Sequence, residues 1–444
     1  MVKDVSEIYT CSNCDSQSSK WQGRCLECGQ WGTLEKSVIT EKKSASNKMP
    51  PAKVVSFNDI KIEDYQKIDT KINEFNRVLG GGIVQGSLIL LGGEPGIGKS
   101  TLVLDISNNI SGEVLYISGE ESAQQIKTRT DRLKINTKNL KFLGETNIEV
   151  ISSTISNQKP KLAIIDSIQT MSSGDSPSGP GSINQVRVCT TKLLEVAKKE
   201  NITILIIGHV TKFGEIAGPK TLEHLVDVVL YLEGDQFNTF RVLRSAKNRF
   251  GSTLEVGIFE MTEDGLKEIS DPSAIFLSDK KDTTGSIIAP VLEGSRIFML
   301  EIQALVNPTI FGYPQRKAVG YDLNRLQLLI ATMSRRLGLK LANDDVYLNI
   351  AGGLKVSEPA ADLAICLSIY SALKNISIKN DTVAFGEVGL NGEVRPVGQI
   401  AKRVNEAEKL GYKNIIIPVT KEKIISKKQV TPVSTLADAI KQIA

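Results

Sequence analysis

The segment that decides the fold is SLILLGGEPGIGKSTLVLDISNN, residues 87–109. Its first seven residues form an apolar run that predicts a buried strand, and its last nine predict a helix. Between them, Gly93 to Ser100 fits the pattern GxxxxGK(S/T), in which backbone N–H groups curl around phosphates and the positive end of a helix faces the anion. The sequence therefore predicts a nucleotide-binding P-loop formed by Gly93, Glu94, Pro95, Gly96, Ile97, Gly98, Lys99, Ser100 and Thr101.

Two residues of this loop and one distant carboxylate are predicted to act on ATP and Mg²⁺. We expect Lys99 to reach the β- and γ-phosphates and the Ser100 hydroxyl to ligate Mg²⁺. The stretch KLAIIDS (161–167) supplies a second Mg²⁺ ligand, because its apolar run is followed by Asp166 at the end of a predicted strand. The predicted small-molecule ligands are therefore ATP and Mg²⁺.

A carboxylate that polarises the attacking water is also expected near the loop. The stretch SGEES follows the predicted strand EVLYI and offers Glu120, with Glu121 as the second candidate. We favour Glu120 as the catalytic base, since the chemistry needs a strand-end carboxylate beside the P-loop. The alternative is a solvated acidic helix start, where negative charge suits the helix dipole.

The region from about residue 57 to about residue 270 alternates between predicted strands and helices. This alternation indicates a mostly parallel sheet covered on both faces, with strands at 87–93, 113–119, 161–167 and 202–209 and a helix from about 183 to 199. Two stretches rich in Gly, Pro and Ser, 172–182 and 212–220, directly follow strands. Loops at the carboxyl ends of parallel strands do the work of open α/β folds, so both are predicted to be functional.

The N-terminal region contains two CxxC pairs, Cys11 with Cys14 and Cys25 with Cys28. Four thiolates at this spacing predict a tetrahedral Zn²⁺ site, with redox or free cysteines as the alternative. The only tryptophans, Trp21 and Trp31, flank the second pair and are predicted to form the core of this small module. Two further cysteines, Cys189 and Cys366, have no such partners and are interpreted as packing residues.

Composition excludes several classes of protein. The 444 residues are 41% hydrophobic and 23% charged, which is ordinary for a globular chain and too apolar for a fully disordered one. Five lysines and one glutamate between residues 36 and 53 account for the whole net charge of +4, so this stretch is interpreted as a basic tether. No secretory or membrane-spanning run is present, which predicts a cytoplasmic protein whose thiols stay reduced.

The stretch FRVLRSAKNRFGS, residues 240–252, carries four cations and no acid. In a ring of P-loop subunits, Lys247 and Arg249 are candidates to reach a neighbour's γ-phosphate as catalytic fingers. A contact with DNA phosphates and a solvated basic strand are the alternatives. His209, at the end of a predicted strand, is a candidate sensor of nucleotide or DNA, or else a structural residue, and His224 is interpreted as structural.

Taken together, these residues resemble the bacterial RadA (Sms) DNA-repair proteins over nearly the whole chain. The resemblance is carried by the four cysteines with WQGRC, and by GEPGIGKS, IIDSIQT, GHVTK and KNRFG. It implies a RecA-like ATPase core related to DnaB-type helicases, hexameric rings on single-stranded and branched DNA, ATP-driven branch migration and cooperation with the RecA recombinase. It also implies a nucleoid-associated location, DNA-facing loops at 172–182 and 212–220, and action of Lys247 and Arg249 across the subunit interface.

The C-terminal region resembles the proteolytic domain of Lon through residues 351–373 and 386–418. That protease uses a serine in a GPSAG context and a lysine on a later helix. The corresponding segment here reads EPAAD (358–362), so Ala360 replaces the nucleophile, and the lysine corresponds to Ala401 or, one residue on, to Lys402. Without a hydroxyl the acyl-enzyme route is closed, which predicts a non-proteolytic domain kept for assembly or DNA contact.

The predicted fold class is therefore α/β: a RecA-like P-loop ATPase core between an N-terminal four-cysteine zinc module and a C-terminal α+β Lon-like domain. The predicted boundaries are a zinc module at 1–35, a basic linker at 36–55, the ATPase domain at 56–275, a linker at 276–285 and the Lon-like domain at 286–444. The predicted function is a DNA-stimulated ATPase of DNA repair. A nucleotide-controlled binding scaffold and an ATP-dependent protease are the alternatives.

Overall fold

The computed structural model describes residues 7–11, 17–18, 20–26, 29–38, 56, 67–209, 222–234, 239–270, 282–310, 312–351 and 355–443. The chain forms two compact units, of which the first comprises Met1–Lys71, Gly81–Leu230 and Ala246–Phe250. The second comprises Ile72–Gly80, Tyr231–Ser245 and Gly251–Ala444. The domain boundaries expected from the sequence stay predictions, and the loop at 212–220, Cys14 and Cys28 lie outside the described residues.

The N-terminal module is a small antiparallel sheet. Its central strand β1 (Glu7–Cys11) pairs with β2 (Gln17–Ser18) on one side and β3 (Leu34–Val38) on the other. The buried cluster consists of Cys11, Cys25 and Leu34, with Tyr9 packed against it. Thiol side chains thus fill the centre of the module.

The prediction that the two tryptophans form this core is wrong. Trp21 is 63% exposed and Trp31 is 74% exposed. The Trp31 ring lies beneath the Arg24 guanidinium, which is 6.0 Å from the ring centroid. The three-strand sheet is already filled by two thiols and one leucine, so the large indole rings pack on its outside.

The elements that follow alternate as predicted. Two short strands, β4 (Lys67–Ile68) and β5 (Ile83–Val84), flank helix α1 (Asn73–Val78), which belongs to the second unit. The remaining elements of the first unit are β6 (Leu88–Gly93), α2 (Lys99–Asn109), β7 (Val114–Ser118), α3 (Ala123–Arg132), β8 (Leu140–Gly144), α4 (Ile148–Gln158), β9 (Leu162–Asp166), α5 (Ile183–Glu200) and β10 (Thr203–His209). The four predicted strands and the helix at 183–199 are confirmed to within one residue at each end.

These strands form a parallel sheet in the order β6-β10-β9-β7-β8. Strands β6, β7 and β9 are buried at every residue, because helices cover both faces of a parallel sheet and no polar face is tolerated. Strand β8, at the edge, is half exposed. A further strand, β11 (Val228–Glu233), lies beside β6 and carries the chain from the first unit into the second.

After β11 comes an antiparallel run of strands, β12 (Phe240–Asn248), β13 (Val256–Thr262) and β14 (Gly265–Glu268), which belongs to the second unit except for the last three residues of β12. Its other strands are β15 (Thr283–Thr284), β16 (Ser286–Glu293), β17 (Arg296–Pro308), β18 (Arg316–Val319), β19 (Asp344–Ile350), β20 (Ser377–Ile378), β21 (Thr382–Ala384), β22 (Glu387–Val388), β23 (Val394–Arg395), β24 (Asn414–Pro418) and β25 (Gln429–Val433), and its helices are α6 (Leu323–Leu337), α7 (Asp362–Lys374), α8 (Ile400–Lys409) and α9 (Leu436–Ile440). Seven strands form one mixed sheet in the order β18-β19-β17-β16-β21-β24-β25.

Helix α6 illustrates how local sequence sets these elements. Its N-cap Asp322 accepts a hydrogen bond from the Arg325 N–H, and it ends at Gly338, whose φ of +66° suits glycine. Its buried residues are Leu326, Leu329, Ile330, Thr332 and Met333, which recur at helical spacing on one face. This face joins the apolar core of the second unit.

Candidate functional site

The carboxyl ends of four parallel strands meet at one edge of the sheet. Register pairs His209 at the end of β10 with Gly93 at the end of β6, and Ser118 at the end of β7 with Asp166 at the end of β9. The P-loop, both candidate carboxylates and His209 therefore leave the sheet side by side. The sequence predicted each of these positions separately, and the topology brings them to one place.

The P-loop has the backbone that its glycines permit. Gly96 has a φ of +77° and Gly98 a φ of +111°, conformations that residues with a Cβ rarely adopt. Helix α2 begins directly afterwards, at Lys99, so its first N–H groups point into the loop. This arrangement of free N–H groups at a helix N-terminus fits the phosphates of a nucleotide.

Lys99 lies within this loop with its side chain buried. Its ammonium donates hydrogen bonds to the carbonyl oxygens of Gly93 and Glu94, both at 2.9 Å. Burial lowers the pKa of Lys99 from 10.5 to about 8, while the nearby carboxylates of Asp166 and Glu120 oppose that fall. The charges of all three predicted residues therefore act on one another.

Asp166 is buried at the end of β9, and one of its oxygens, Oδ2, accepts a hydrogen bond from the Tyr116 hydroxyl. Burial and the Asp166 charge raise the pKa of Tyr116 well above its usual range, so the phenol stays a donor. Sequence reasoning missed Tyr116. The available signal was a tyrosine inside an otherwise apolar strand, because a buried phenol needs a hydrogen-bond partner.

The two adjacent glutamates have different partners. Glu120 accepts a hydrogen bond from the Ser167 hydroxyl, and its Oε1 lies 3.4 Å from Nε2 of His209. The hydrogen bond from His209 and that from Ser167 lower the pKa of Glu120, although its partial burial acts in the other direction. Glu121 instead forms an ion pair with Arg129 of helix α3. Glu120 is thus the glutamate held beside the P-loop strand.

A cavity of about 360 Å³ opens beside Glu120. Its walls come from the loop after β7 and from the loop after β8, including Glu145 and Thr146. Gly119 lies where a Cβ would approach the Thr170 hydroxyl to 2.5 Å, so only glycine fits between these loops. The close packing of the loops leaves Glu120 facing an open, polar space.

The loop predicted at 172–182 is tied down at its start. The Lys192 ammonium of helix α5 contacts Glu149 and lies 2.6 Å from Asp175 and 3.0 Å from the Ser173 hydroxyl. Gln185 donates a hydrogen bond of 3.1 Å to the Ser173 carbonyl. The residues after Asp175 are only partly buried or exposed, so the loop presents its glycine-rich part to solvent from a fixed base.

Lys247 and Arg249 do not lie at the P-loop of their own chain. The Lys247 ammonium donates to the Glu223 carbonyl at 2.6 Å, and the Arg249 guanidinium is 3.3 Å from the carboxylate of Asp227. Buried Asp227 also accepts the N–H of Leu88, the first residue of β6. The P-loop begins at the other end of β6, about 17 Å away at the usual strand rise. These two cations could therefore reach phosphates only on another molecule.

Several other arginines of the second unit have partners within that unit. Arg244 pairs with Glu233 at 2.9 Å and with Glu293, and Arg241 is buried. In the Lon-like region, Arg316 donates a 2.6 Å hydrogen bond to the Leu341 carbonyl, and Arg336 donates one of 2.8 Å to Asn391. Lys317 and Arg335 of the same region are exposed.

The segment around Ala360, which stands where the Lon-like pattern has its nucleophile, contains a buried ion pair. Ala360 is fully buried in a short turn, Pro359–Ala361. The preceding Glu358 pairs with Arg403, whose side chain is 0% exposed and also donates to the carbonyl oxygens of Pro290 and Gly398.

A second ion pair lies beside it, in which Asp362 accepts hydrogen bonds from Tyr321 at 2.6 Å and from Arg325 at 2.6 Å and 2.9 Å. Of the two residues proposed to match the lysine, Ala401 has no amine and Lys402 is exposed, with its ammonium on the Ser295 carbonyl. Among the described residues, positions 360 and 401 are therefore alanines without a hydroxyl or an amine.

The described residues contain no group of three or more metal-binding side chains. Cys11 and Cys25 nevertheless share one buried cluster, which places one thiol of each CxxC pair at the centre of the module. No helix in the described part of the chain is long and apolar enough to cross a membrane.

Comparisons with known proteins cover all three regions. Residues 55–215 match the family model "AAA domain", residues 303–421 match "Subunit ChlI of Mg-chelatase", and residues 9–36 match "Rubredoxin metal binding domain". These matches confirm the predicted fold class: an α/β P-loop ATPase core between a zinc ribbon and a Lon-like α+β domain.

Two curated relatives match the chain almost from end to end. The DNA repair protein RadA of Bacillus subtilis (strain 168) is 48% identical over 462 residues, covering 99% of both chains. The protein of the same name from Listeria monocytogenes is 46% identical over 444 residues, covering 98% of this chain and 97% of its own. Among solved structures, the RadB recombinase is 20% identical with a TM-score of 0.38 and covers 46% of this chain and 100% of its own.

Proposed function

Because this chain belongs to the family of RadA DNA repair proteins and is a DNA repair ATPase, we propose that it is a DNA-stimulated motor that drives branch migration of recombination intermediates together with the RecA recombinase. The observation that carries the proposal is the convergence of P-loop, Asp166 and Glu120 at one sheet edge, next to the strand that leads into a predicted DNA-facing loop. ATP is the substrate, and single-stranded and branched DNA are the proposed partners.

The residues at the sheet edge fit MgATP. N–H groups of the loop and of the start of α2 would hold the phosphates, with the Lys99 ammonium moving from two loop carbonyls onto the β- and γ-phosphates. Hydroxyl and carboxylate oxygens are ligands that Mg²⁺ prefers, so Ser100 and Asp166 would hold the metal. When bound, Mg²⁺ neutralises charge on the β- and γ-phosphate oxygens.

Glu120 would act as the base. Its Oε1 is already occupied by the Ser167 hydroxyl and by His209, so Oε2 would accept the proton of the attacking water. His209 is the last described residue before the loop predicted at 212–220. His209 is therefore both a partner of the proposed base and close in sequence to a predicted DNA-facing loop, which supports stimulation by DNA.

The remaining roles concern assembly. Lys247 and Arg249 lie at the far end of β6 from their own P-loop, and we propose that they act on the nucleotide of a neighbouring subunit in a hexameric ring. Zn²⁺ would be held by the four thiolates of Cys11, Cys14, Cys25 and Cys28 in the N-terminal module. We propose that the Lon-like domain is non-proteolytic.

The test measures ATP hydrolysis with and without single-stranded DNA, in the unchanged protein and in Lys99→Ala. We expect DNA to stimulate turnover and the substitution to reduce turnover by about 10²–10³-fold, as for loss of one charge-stabilising donor. Lys141→Ala is the matched control, because this lysine lies on the same sheet and pairs with Glu113 at 2.5 Å. Hydrolysis without stimulation would favour a nucleotide-controlled binding scaffold, and hydrolysis retained in Lys99→Ala would refute the assignment of the site.

A further inference from the structure

One buried side chain of the parallel sheet has no part in the function proposed so far. Tyr116 lies in the middle of β7, is 0% exposed, and donates its hydroxyl hydrogen bond to Oδ2 of Asp166 on the neighbouring strand β9. Tyr116 pairs in register with Ile164, two residues before Asp166. Since side chains alternate between the faces of a strand, Tyr116 and Asp166 project from the same face.

This hydrogen bond holds the carboxylate of Asp166, which in the proposed function must still be able to bind Mg²⁺. Asp166 is only 5% exposed, so a freely rotating carboxylate would leave one oxygen without a partner in an apolar layer. The phenol donates to Oδ2, so Oδ1 is the oxygen that this contact leaves available to a metal. The other residues of β7 beside Tyr116, Leu115 and Ile117, are apolar, so the hydroxyl is the one polar group of that strand interior.

We propose that Tyr116 is a positioning residue that orients Asp166 for Mg²⁺, and thereby sets the concentration of Mg²⁺ at which ATP is hydrolysed. The proposal rests on the assignment of Asp166 as a Mg²⁺ ligand made above. Groups that orient metal ligands from behind commonly change metal affinity by 10–100-fold when they are removed. A tyrosine that served packing alone would leave the metal dependence unchanged when replaced by phenylalanine, which has nearly the same volume.

The experiment measures steady-state ATP hydrolysis by the full chain against free Mg²⁺ at saturating ATP. We expect Tyr116→Phe to raise the Mg²⁺ concentration for half-maximal rate by about tenfold. Tyr412→Phe is the matched control, because Tyr412 is a buried tyrosine of the other unit, and its Mg²⁺ dependence should stay unchanged. An unshifted Mg²⁺ dependence in an active Tyr116→Phe protein would overturn the proposal.

Asp166→Asn separates this proposal from the function on which it rests. If Asp166→Asn and Tyr116→Phe both leave the Mg²⁺ dependence unchanged, the assignment of Asp166 fails and the proposal fails with it. If Asp166→Asn shifts the dependence and Tyr116→Phe does not, only the role of Tyr116 is refuted.

Binding of a fluorescent ATP analogue in EDTA separates positioning from misfolding. Tyr116→Phe should bind the analogue without metal as the unchanged protein does, and lose only the tightening that Mg²⁺ adds. If binding without metal is lost, the double variant Tyr116→Phe/Asp166→Asn decides. Restored binding supports the proposal, since it removes the carboxylate that phenylalanine leaves unpaired, whereas persistent loss means that Tyr116 is a packing residue and overturns it.

Discussion

Each unit contains carboxylates at a position that the sequence relates to catalysis. The surroundings of these carboxylates differ between the two units. At the edge of the parallel sheet, Glu120 is 38% exposed, faces a cavity, and has its known partners on one oxygen. In the Lon-like segment, both carboxylate oxygens of Glu358 accept hydrogen bonds from the fully buried Arg403. Asp362 accepts hydrogen bonds from Tyr321 and Arg325. Carboxylates with spare acceptor capacity beside an open space can act on a substrate, whereas carboxylates whose oxygens already accept from buried donors stabilise the fold.

The largest effect is expected from Glu120→Gln, which keeps the shape of the side chain and removes the base. Turnover should fall by about 10²–10⁴-fold, the usual contribution of a general base, while ATP binding stays near its original strength. Glu121→Gln is the matched control, because this residue pairs with Arg129, and it should lose far less activity. Equal losses of activity in the two variants would contradict the assignment of Glu120, and not Glu121, as the base.

The second-largest effect is expected on the stability of the second unit. Glu358→Ala leaves the guanidinium of Arg403 buried without its partner, and should lower the free energy of unfolding by about 3–5 kcal/mol. Urea denaturation followed by circular dichroism measures this change. The double variant Glu358→Leu/Arg403→Met should recover part of the loss, because it leaves no buried charge without its counter-charge, although the carbonyl oxygens of Pro290 and Gly398 lose a donor. A single variant as stable as the unchanged protein would contradict the structural role.

The affinity of the nucleotide site for ATP should depend on pH through the charge of Lys99. Burial lowers the pKa of Lys99 from 10.5 to about 8, so the fraction with a charged ammonium falls as the pH rises through that value. Affinity for ATP should therefore weaken by about tenfold between pH 7 and pH 9, measured with a fluorescent analogue. In Lys99→Arg the side chain stays charged over this range, and the affinity of that variant should not follow the pH.

The smallest effect is expected when the serine and the lysine of the Lon-type protease are introduced at positions 360 and 401. Ala360→Ser together with Ala401→Lys should yield no cleavage of fluorescent casein, because the new hydroxyl would be buried at position 360, and the neighbouring Glu358 is already paired with Arg403. The unchanged protein and a variant with Ala360→Ser alone are the controls. ATP-dependent cleavage by the double variant would show that burial at position 360 does not prevent proteolysis.

Much of the site could be predicted from the sequence because its signals are local. A glycine-rich turn, a strand that ends in Asp166 and an acidic pair after the next strand each follow from a few consecutive residues. Local sequence does not say which of Glu120 and Glu121 turns towards His209, since that depends on a strand almost ninety residues away in the chain. The expected tryptophan core failed for a related reason, since hydrophobicity does not tell how much space a three-strand sheet encloses.

By itself, the sequence determined the P-loop motif, four strands and two helices of the first unit, the paired CxxC motifs and the alanine at position 360, because each depends on the type and spacing of near neighbours. The tertiary structure decided that Tyr116 meets Asp166, that Asp227 pairs with Arg249 at the far end of β6, and that Arg403 pairs with Glu358. These pairings join residues 22 to 50 positions apart. A buried polar group must find a partner in space, and only the order and register of the strands fix which residue that is.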